Sequence, residues 1–247
     1  MAEEFIIGRN PVMEAIRSGR DINKIWVSEG ANKGQIHKLL ELANQNKVIV
    51  QTAPNKKLDS MVQGNHQGVI AQVAAYEYVE VDDLFEVAKS RDEQPFFLIL
   101  DEIEDPHNLG SIMRTADAVG AHGIIIPKRR AVGLTAAVAK SSTGAIEYMP
   151  VARVTNLART VDDLKQRGVW IFGTDAKGAD DYRKMDGQIS LGLIIGSEGK
   201  GMSRILKEKC DFLIKLPMIG KVTSLNASVA ASLLMYEVYR KRQPLGS

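Results

Sequence analysis

The chain has 247 residues, of which 45% are hydrophobic and 25% are charged, as in an average soluble globular protein. Its formal net charge is only +2, and no run of about 20 apolar residues occurs, so the sequence predicts no membrane span. The first ten residues lack the basic start and apolar core of a signal peptide, and the single cysteine, Cys210, excludes an intrachain disulfide. We therefore expect a cytoplasmic protein.

The N-terminal part of the chain alternates short helical and strand-like patterns and predicts a small α/β domain over residues 1–75. Helices are predicted at 10–19, 33–46 and 55–64, and strands at 24–30, 47–53 and 68–76. Residues 76–94 then carry seven acidic and two basic side chains. This composition predicts an acidic linker that contains one short helix.

From Pro95 onward the pattern of strand, loop and helix repeats several times. Strands are predicted at 96–103, 123–127, 146–154, 169–175, 191–199 and 212–218, and helices at 109–121, 134–142, 156–167 and 224–242. Several strands are continuous apolar runs, as expected where both faces of a parallel sheet are covered. Residues 95–243 therefore predict an open, mostly parallel α/β sheet, which would bind ligands beyond the carboxyl ends of its strands.

The first strand-end loop, DEIEDPHN, leads into an amphipathic helix. Asn108 stands where an N-cap is expected, and Gly120 stands where the helix should end. Arg114 points away from the predicted buried stripe of this helix. It is either a solvated arginine or a guanidinium placed to meet a phosphate or a ribose. The buried stripe comprises Leu109, Ile112, Met113, Ala116 and Val119.

The second loop, in LGLIIGSEGKGM, is rich in glycine. Glycines at 196, 199 and 201 permit turns with positive φ and a close approach of the backbone. Their order matches neither the dinucleotide fingerprint nor a P-loop. Glu198 disfavours a phosphate site because its carboxylate repels an anion, and it would suit a cationic or hydrogen-bond-donating ligand. A tight turn leading into the next helix is the alternative interpretation.

The third loop, LPMIGKVTSLNAS, places polar side chains between a strand and a helix that should both be buried. Ser224 or Asn226 could cap the last helix, but capping accounts for only one of them. Thr174 and Asp175 follow yet another strand, so four loops would meet at one edge of the sheet. The polar side chains of the third loop are Lys221, Thr223, Ser224, Asn226 and Ser228.

Other chemistries have little support in the sequence. There is no HExxH, CxxC or EF-hand spacing, so no metal is predicted. The four histidines are scattered, and only His107 lies in a candidate loop.

Taken together, the three loops resemble the motifs of the SpoU/TrmH family of SPOUT RNA 2′-O-ribose methyltransferases. The matching segments are DPHNLGSIMRTADAVGAHGIII, IIGSEGKGM and LPMIGKVTSLNASVAASLLMYE, and the resemblance covers residues 95–243. GRNPVMEAI near the start and HQGVIAQV at 66–73 resemble the small substrate domain of the RlmB subgroup. GKVTSLN departs from the commoner form, which has a second serine before Ser-Leu-Asn.

The resemblance implies a deep trefoil knot in the C-terminal segment and an obligate homodimer with the active site near the subunit interface. It also implies S-adenosylmethionine as cofactor and methylation of a guanosine ribose in 23S rRNA. Methylation of tRNA ribose is the nearest alternative. A non-catalytic RNA-binding protein and a sugar- or nucleotide-phosphate enzyme are the alternatives outside the family.

The resemblance also assigns site residues. Arg114 would activate the ribose hydroxyl, or else bind the phosphate and polarise the hydroxyl while another group or water takes the proton. The other site residues are Asn108, Glu198, Ser224 and Asn226. The cofactor contacts are Thr174, Gly196, Leu216, Ile219 and Leu225.

A basic run follows the predicted strand at 123–127. Lys128, Arg129 and Arg130 are either phosphate contacts for RNA or a solvated loop. The small N-terminal domain would recognise RNA structure.

Overall fold

The computed structural model describes residues 5–17, 19–31, 33–62, 64–74, 76–175, 180–221 and 224–244, without the side chains of residues 33 and 35. The chain divides into two compact units. The first comprises Met1–Glu77 with Gly133–Ala137, and the second comprises Tyr78–Val132 with Val138–Ser247. In the described part of the chain, no helix has the length and apolarity needed to cross a bilayer.

The first unit contains a four-stranded sheet in the order β1-β4-β2-β3. Strand β4 runs antiparallel to β1 and β2, whereas β2 and β3 are parallel. Two helices cover one face of this sheet and a third, shorter helix packs on the other. Its elements are β1 (Phe5–Ile7), α1 (Arg9–Arg17), β2 (Ile22–Ser28), α2 (Lys33–Gln45), β3 (Val50–Ala53), α3 (Asn55–Met61) and β4 (Val69–Val73).

From Tyr78 onward the chain forms the remaining helices and strands. The helices are α4 (Val81–Ser90), α5 (Pro106–Ala118), α6 (Ala136–Ser141), α7 (Leu157–Gln166), α8 (Arg204–Lys209) and α9 (Ala227–Arg242). The strands are β5 (Phe96–Asp101), β6 (Gly123–Pro127), β7 (Val151–Val154), β8 (Trp170–Thr174), β9 (Asp180–Asp181), β10 (Leu191–Gly196) and β11 (Phe212–Lys215). Short 3-10 turns lie at Ala145–Glu147 and Tyr182–Lys184.

The sheet of the second unit has the strand order β7-β6-β5-β10-β8-β11-β9, and its neighbouring strands are parallel. The prediction of an open, mostly parallel sheet is therefore confirmed. The two central strands, β5 and β10, are buried along their whole length, which explains their continuous apolar sequences. All the carboxyl ends lie at one edge, so the loops that follow them are neighbours.

Part of the segment expected as an acidic linker, residues 81–90, forms helix α4 within the second unit. Leu84 of this helix is fully buried against Phe97 in the core. Ahead of the helix, Val79 bridges to Ala152 and covers the edge strand β7. The short helix predicted in this segment is therefore present. Its acidic side chains lie on the exposed face, and the composition of the segment does not indicate that the opposite face is buried.

A buried histidine ties the start of β5 to the segment before it. His122 is fully buried, and its Nδ1 accepts the backbone N–H of Phe96 at 3.0 Å. The other ring nitrogen therefore carries the hydrogen and donates to Glu93 Oε2 at 2.8 Å. Burial lowers the pKa of the His122 imidazole; Glu93 opposes this shift, and the charges of Arg242 and Arg91 add to it.

We expect this histidine to make the protein sensitive to mild acid. Below its ordinary pKa of 6.5, the unfolded imidazole binds a proton that the folded one rejects, so the free energy of unfolding falls as the pH falls. Thermal unfolding between about pH 7 and pH 5 should show a smaller loss for His122→Gln than for the wild type. His37→Gln, which changes an exposed histidine, should keep the wild-type slope. Equal slopes in all three proteins would contradict the assignment.

Candidate active site

The order of the strands brings two of the three motif loops together. Strands β5 and β10 are adjacent, and their register pairs Asp101 with Gly196 at the carboxyl edge. The loop into α5 starts beside the glycine-rich loop as a result. The third loop follows β11 and leads into α9, which packs against α5.

Three polar side chains, one from each loop, join at this edge. Asn108 donates through Nδ2 to Glu198 Oε1 at 2.9 Å. Asn226 donates through Nδ2 both to Asn108 Oδ1, at 3.0 Å, and to the same oxygen of Glu198. The backbone N–H of Ala227 also donates to that oxygen at 3.4 Å. We call Asn108, Glu198 and Asn226 the polar triad.

Asn226 has two structural roles at once. It is the N-cap of α9, because its Oδ1 accepts from the backbone N–H groups of Ser228 and Val229 at 3.0 and 3.3 Å. The side-chain hydroxyl of Ser228 donates to the same oxygen at 2.6 Å. The amide nitrogen remains free to reach across to Glu198. Helix capping and assembly of the site are thus performed by one amide.

The prediction that Asn108 caps α5 is wrong. The N-cap is Asp105, whose Oδ1 accepts from the backbone N–H of His107 at 2.7 Å, and Pro106 occupies the first helical turn. Asn108 lies inside that turn, with its side chain available for the triad. An Asp-Pro pair is itself a start signal for a helix, since proline is favoured just inside the N-terminus. Gly120, with φ +72°, follows the helix end as expected.

The glycine-rich loop folds tightly back on itself. Ser197 bridges to Gly201, which has φ +69°, and the buried Asp101 accepts the backbone N–H of Ser203 at 2.7 Å. A Cβ at position 196 would lie far inside van der Waals contact with the backbone of Gly201 and Met202. Gly196 is predicted to contact the cofactor. The structure shows that the lack of a side chain there also makes room for the backbone of Gly201 and Met202.

We expect Gly196→Ala to disrupt this loop. The added methyl group overlaps main-chain atoms that cannot swing aside, and overpacking of this kind costs about 1–3 kcal/mol. The free energy of unfolding in urea should fall by that amount, and Glu198 should lose its position. Gly199→Ala is a matched control because a Cβ there meets nothing within 4 Å. Equal stability of the two variants would contradict this account.

The other residues expected to contact a cofactor also follow strand ends. Thr174 ends β8, and its hydroxyl donates to the carbonyl oxygen of Ile194 in β10 at 3.2 Å. After β11, Leu216 and, further on, Leu225 are partly exposed, and Ile219 is fully exposed. Asp175, beyond Thr174, pairs with Lys207 of α8.

Ser224 is exposed and makes no hydrogen bond to a described residue. Thr223 lies outside the described residues. In the part of the chain that the structure describes, no group of three or more histidine, cysteine, aspartate or glutamate side chains is placed to hold a metal ion.

Arg114 makes no hydrogen bond or ion pair with the polar triad of its own chain. It comes six residues after Asn108, which places it about 120° around the helix and about 9 Å along it. The side chain is exposed and makes no hydrogen bond or ion pair with a described residue. Its neighbour Thr115 shares a hydrogen bond of 3.0 Å with Ser232, so Arg114 stands beside the contact between α5 and α9.

The basic run lies at the same edge, after β6. The Arg130 guanidinium pairs with Glu102 at 2.7 Å, and this hydrogen bond raises the pKa of Arg130. The backbone N–H of Lys128 donates to the carbonyl oxygen of Val154 at 2.8 Å. Arg129 is exposed and, among the described residues, has no partner. It is the member of the run most available to an anionic ligand.

A parallel α/β sheet with a polar cluster at its carboxyl edge defines an enzyme-like ligand site. The SpoU rRNA methylase family matches residues 95–236, and the substrate-binding family of RNA 2′-O-ribose methyltransferases matches residues 5–79. The chain belongs to the SpoU/TrmH family of RNA 2′-O-ribose methyltransferases.

Similar proteins agree with this assignment. YacO of Bacillus subtilis (strain 168), named for the TrmH family of tRNA/rRNA methyltransferases, is 67% identical over 243 residues, covering 98% of each chain. A Staphylococcus saprophyticus protein with the same family name is 58% identical over 246 residues, covering 100% of this chain and 99% of its own.

Solved structures show the same fold. The SpoU methyltransferase AviRb from Streptomyces viridochromogenes, in complex with the cofactor AdoMet, superposes with a TM-score of 0.62 at 26% identity, covering 98% of this chain and 91% of its own. An AdoMet-bound rRNA methyltransferase from Sinorhizobium meliloti gives a TM-score of 0.57 at 26% identity, covering 98% and 88%.

Proposed function

We propose that this protein transfers the methyl group of S-adenosylmethionine to the ribose 2′-hydroxyl of a guanosine in 23S rRNA. The observation that carries the proposal is the polar triad, in which side chains from the three motif loops meet at one sheet edge. The choice of rRNA rests on the similarity of GRNPVMEAI and HQGVIAQV to the RlmB subgroup. A cytoplasmic location and the trefoil knot belong to the same proposal.

The ends of three adjacent strands suit S-adenosylmethionine. Gly196, Thr174 and Leu216 end or follow β10, β8 and β11, which are neighbours in the sheet. Leu216, Ile219 and Leu225 present apolar surface that a flat adenine ring would cover. The cofactor supplies a methyl group on a sulfonium centre, which an oxygen nucleophile can attack. Glu198 brings negative charge to the edge that would hold this cation.

The polar triad would hold the reacting groups in position. Glu198 Oε1 accepts hydrogen bonds from both other loops, which fixes the glycine-rich loop relative to the starts of α5 and α9. Such positioning is worth roughly 7–11 kcal/mol in well-oriented reactions. Ser224, exposed two residues before Asn226, would contact the RNA.

The protein would act as a homodimer through α5 and α9. Helix α9 is apolar around most of its surface, a pattern typical of a buried helix. Yet Val229, Leu233 and Tyr236 are 48%, 45% and 52% exposed and recur at spacings of four and three residues, along one stripe. A second copy of the chain would cover this stripe.

Arg114 would then serve the site of the partner subunit. No hydrogen bond or ion pair joins it to the polar triad of its own chain, and its neighbour Thr115 lies in the α5–α9 contact. A guanidinium there would bind the RNA phosphate and polarise the 2′-hydroxyl of the nucleotide bound to the other subunit. Since the guanidinium remains protonated, another group or water would take the proton.

We expect Leu233→Glu to give monomers in sedimentation experiments, because a charge in the centre of the stripe opposes its burial. Tyr148→Glu is the matched control: Tyr148 is 76% exposed and lies outside the stripe. The control should keep the mass of a dimer. Dimers of unchanged affinity in Leu233→Glu would exclude α9 as the interface.

The N-terminal unit would bind the RNA substrate, with residues 1–75 as the domain and Lys128, Arg129 and Arg130 as further phosphate contacts. Of the three, Arg129 is the best candidate for a phosphate contact, because it has no partner among the described residues.

Methyl transfer from labelled S-adenosylmethionine to undermethylated 23S rRNA and to tRNA tests the proposal, with mass-spectrometric mapping of the product. One ribose-methylated guanosine in 23S rRNA supports it. Modification of tRNA alone would replace the substrate but keep the reaction. Cofactor binding without transfer to naked RNA or to ribosomal assembly intermediates would favour a non-catalytic RNA-binding protein.

A further inference from the structure

The sheet of the first unit is covered unequally on its two faces. Helices α1 and α2 cover one face through a large apolar core. In the described part of this unit, the apolar cluster on the other face includes a single helix, α3, which has seven residues and packs Leu58 against Trp26 and Ile70. So short a helix spans about 10 Å, which is less than the width of a four-stranded sheet.

Beyond α3, three side chains form a row across adjacent strands. Phe5 of β1 and Lys24 of β2 both pair with Gln72 of β4, so the three side chains share one face of the sheet. All three are partly exposed. Neighbouring strands are about 4.8 Å apart, so the row is about 10 Å long. We call Phe5, Gln72 and Lys24 the sheet row.

Trp26 lies beside this row on the same face of the sheet and contacts two of its members. The Phe5 and Trp26 rings have centroids 6.4 Å apart. The ammonium group of Lys24 lies 5.5 Å from the centroid of the Trp26 ring, at the distance of a cation–π contact. The amide of Gln72 makes no hydrogen bond to a described residue, so both its donor and its acceptor are available.

The chemistry of the row is that of a surface for single-stranded RNA. An aromatic ring stacks with an unpaired base, an amide can read the edge of that base, and an ammonium group neutralises a phosphate. Lys56 and Lys57, both exposed on α3, add positive charge on the same face. A protein partner would require a larger apolar area than one partly exposed ring offers.

We propose that the sheet row binds an unpaired nucleotide of the substrate RNA, with the base on Phe5, the base edge at Gln72 and a phosphate at Lys24. The proposal rests on the proposed function in requiring an RNA substrate. It adds the binding surface and restricts the contacted RNA to a loop, bulge or single strand.

The test measures binding of the full-length protein to a fluorescein-labelled single-stranded oligoribonucleotide of mixed sequence and to a fully paired RNA duplex. Phe5→Leu keeps an apolar side chain but removes the stacking ring, and it should weaken single-strand binding about tenfold. Lys24→Gln should lower the slope of log affinity against log salt by about 0.7. Lys38→Gln removes an equal charge on α2, the opposite face, and should leave the slope unchanged.

A third readout is independent of mutations in the row. Trp26 and Trp170 are the two tryptophans of the chain, so Trp170→Phe leaves Trp26 as the fluorescent reporter. The single strand should quench this emission, and the duplex should not. Should Phe5→Leu lower the unfolding temperature, the Lys24 slope and the Trp26 signal still decide the matter.

Equal binding by wild type and Phe5→Leu, or equal slopes for Lys24→Gln and Lys38→Gln, would overturn the proposal. So would unchanged Trp26 emission when the single strand binds. If the sheet row binds the single strand as expected but no methyl transfer occurs, the proposed function is refuted, and the assignment of the sheet row as an RNA-binding surface still holds.

Discussion

Replacing Arg114 with alanine is expected to reduce methyl transfer by about 10²–10³-fold, the usual cost of removing one group that stabilises charge in a transition state. The affinity for S-adenosylmethionine should stay near that of the wild type, because Arg114 is not among the residues proposed to contact the cofactor. Single-turnover transfer and calorimetric titration of the cofactor measure the two quantities separately. Equal loss of both would contradict the role of Arg114.

Mixed dimers test whether Arg114 acts across the proposed subunit interface. Homodimers of the Arg114→Ala chain and homodimers of the Asn226→Ala chain are each expected to keep about 1% of the wild-type activity or less. In a heterodimer, the intact Arg114 of one chain meets the intact Asn226 of the other, so one of the two sites is complete. About half of the wild-type activity supports action in trans. No activity would show that each chain must use its own arginine.

Replacing Asn226 with alanine is the second change with a large expected effect. It removes the cap of α9, at about 1 kcal/mol of unfolding free energy, and two of the hydrogen bonds that join the polar triad. Misplacement of the glycine-rich loop should lower transfer by about 10²-fold. Chemical denaturation and single-turnover kinetics give the two effects.

Asn226→Asp separates the two roles of this residue. The carboxylate keeps an oxygen for the backbone N–H groups of Ser228 and Val229, but it cannot donate to Glu198 and repels it. We expect stability closer to the wild type than in the alanine variant, together with a similar loss of transfer. Near wild-type transfer in both variants would remove Asn226 from the active site.

For the second unit, the sequence predicted where the strands lie along the chain better than it predicted which strands are adjacent in the sheet. The apolar runs at 123–127 and 191–199 identified β6 and the whole of β10, which ends at Gly196, since a strand buried on both faces leaves little ambiguity. The position of β10 between β5 and β8 depends on contacts between distant parts of the chain. No local pattern reports this order, which is what brings Asn108 and Glu198 together.

Short elements and local competition account for the remaining differences. Strand β9 has two residues and β1 has three, too few to show an alternation of apolar side chains. Asp105 and Asn108 are both good capping residues, and only the hydrogen bond to His107 shows which one caps α5. The contact of Gly196 with its own loop likewise depends on the fold of residues 197–203, which the glycine spacing alone does not specify.

The last helix also joins the two edges of the sheet, and it is the last of the described elements to be synthesised. Its N-cap, Asn226, completes the polar triad at one edge of the sheet. At its other end, the Arg242 side chain donates to the carbonyl oxygens of Gln94, Gly187 and Ile189, at the starts of β5 and β10. A growing chain that has not yet released α9 holds Asn108 and Glu198 without their third partner. A chain that ends before Asn226 would therefore lack the third member of the polar triad, whereas one that ends within α9 would keep Asn226 but lose the hydrogen bonds of Arg242 at the opposite edge of the sheet.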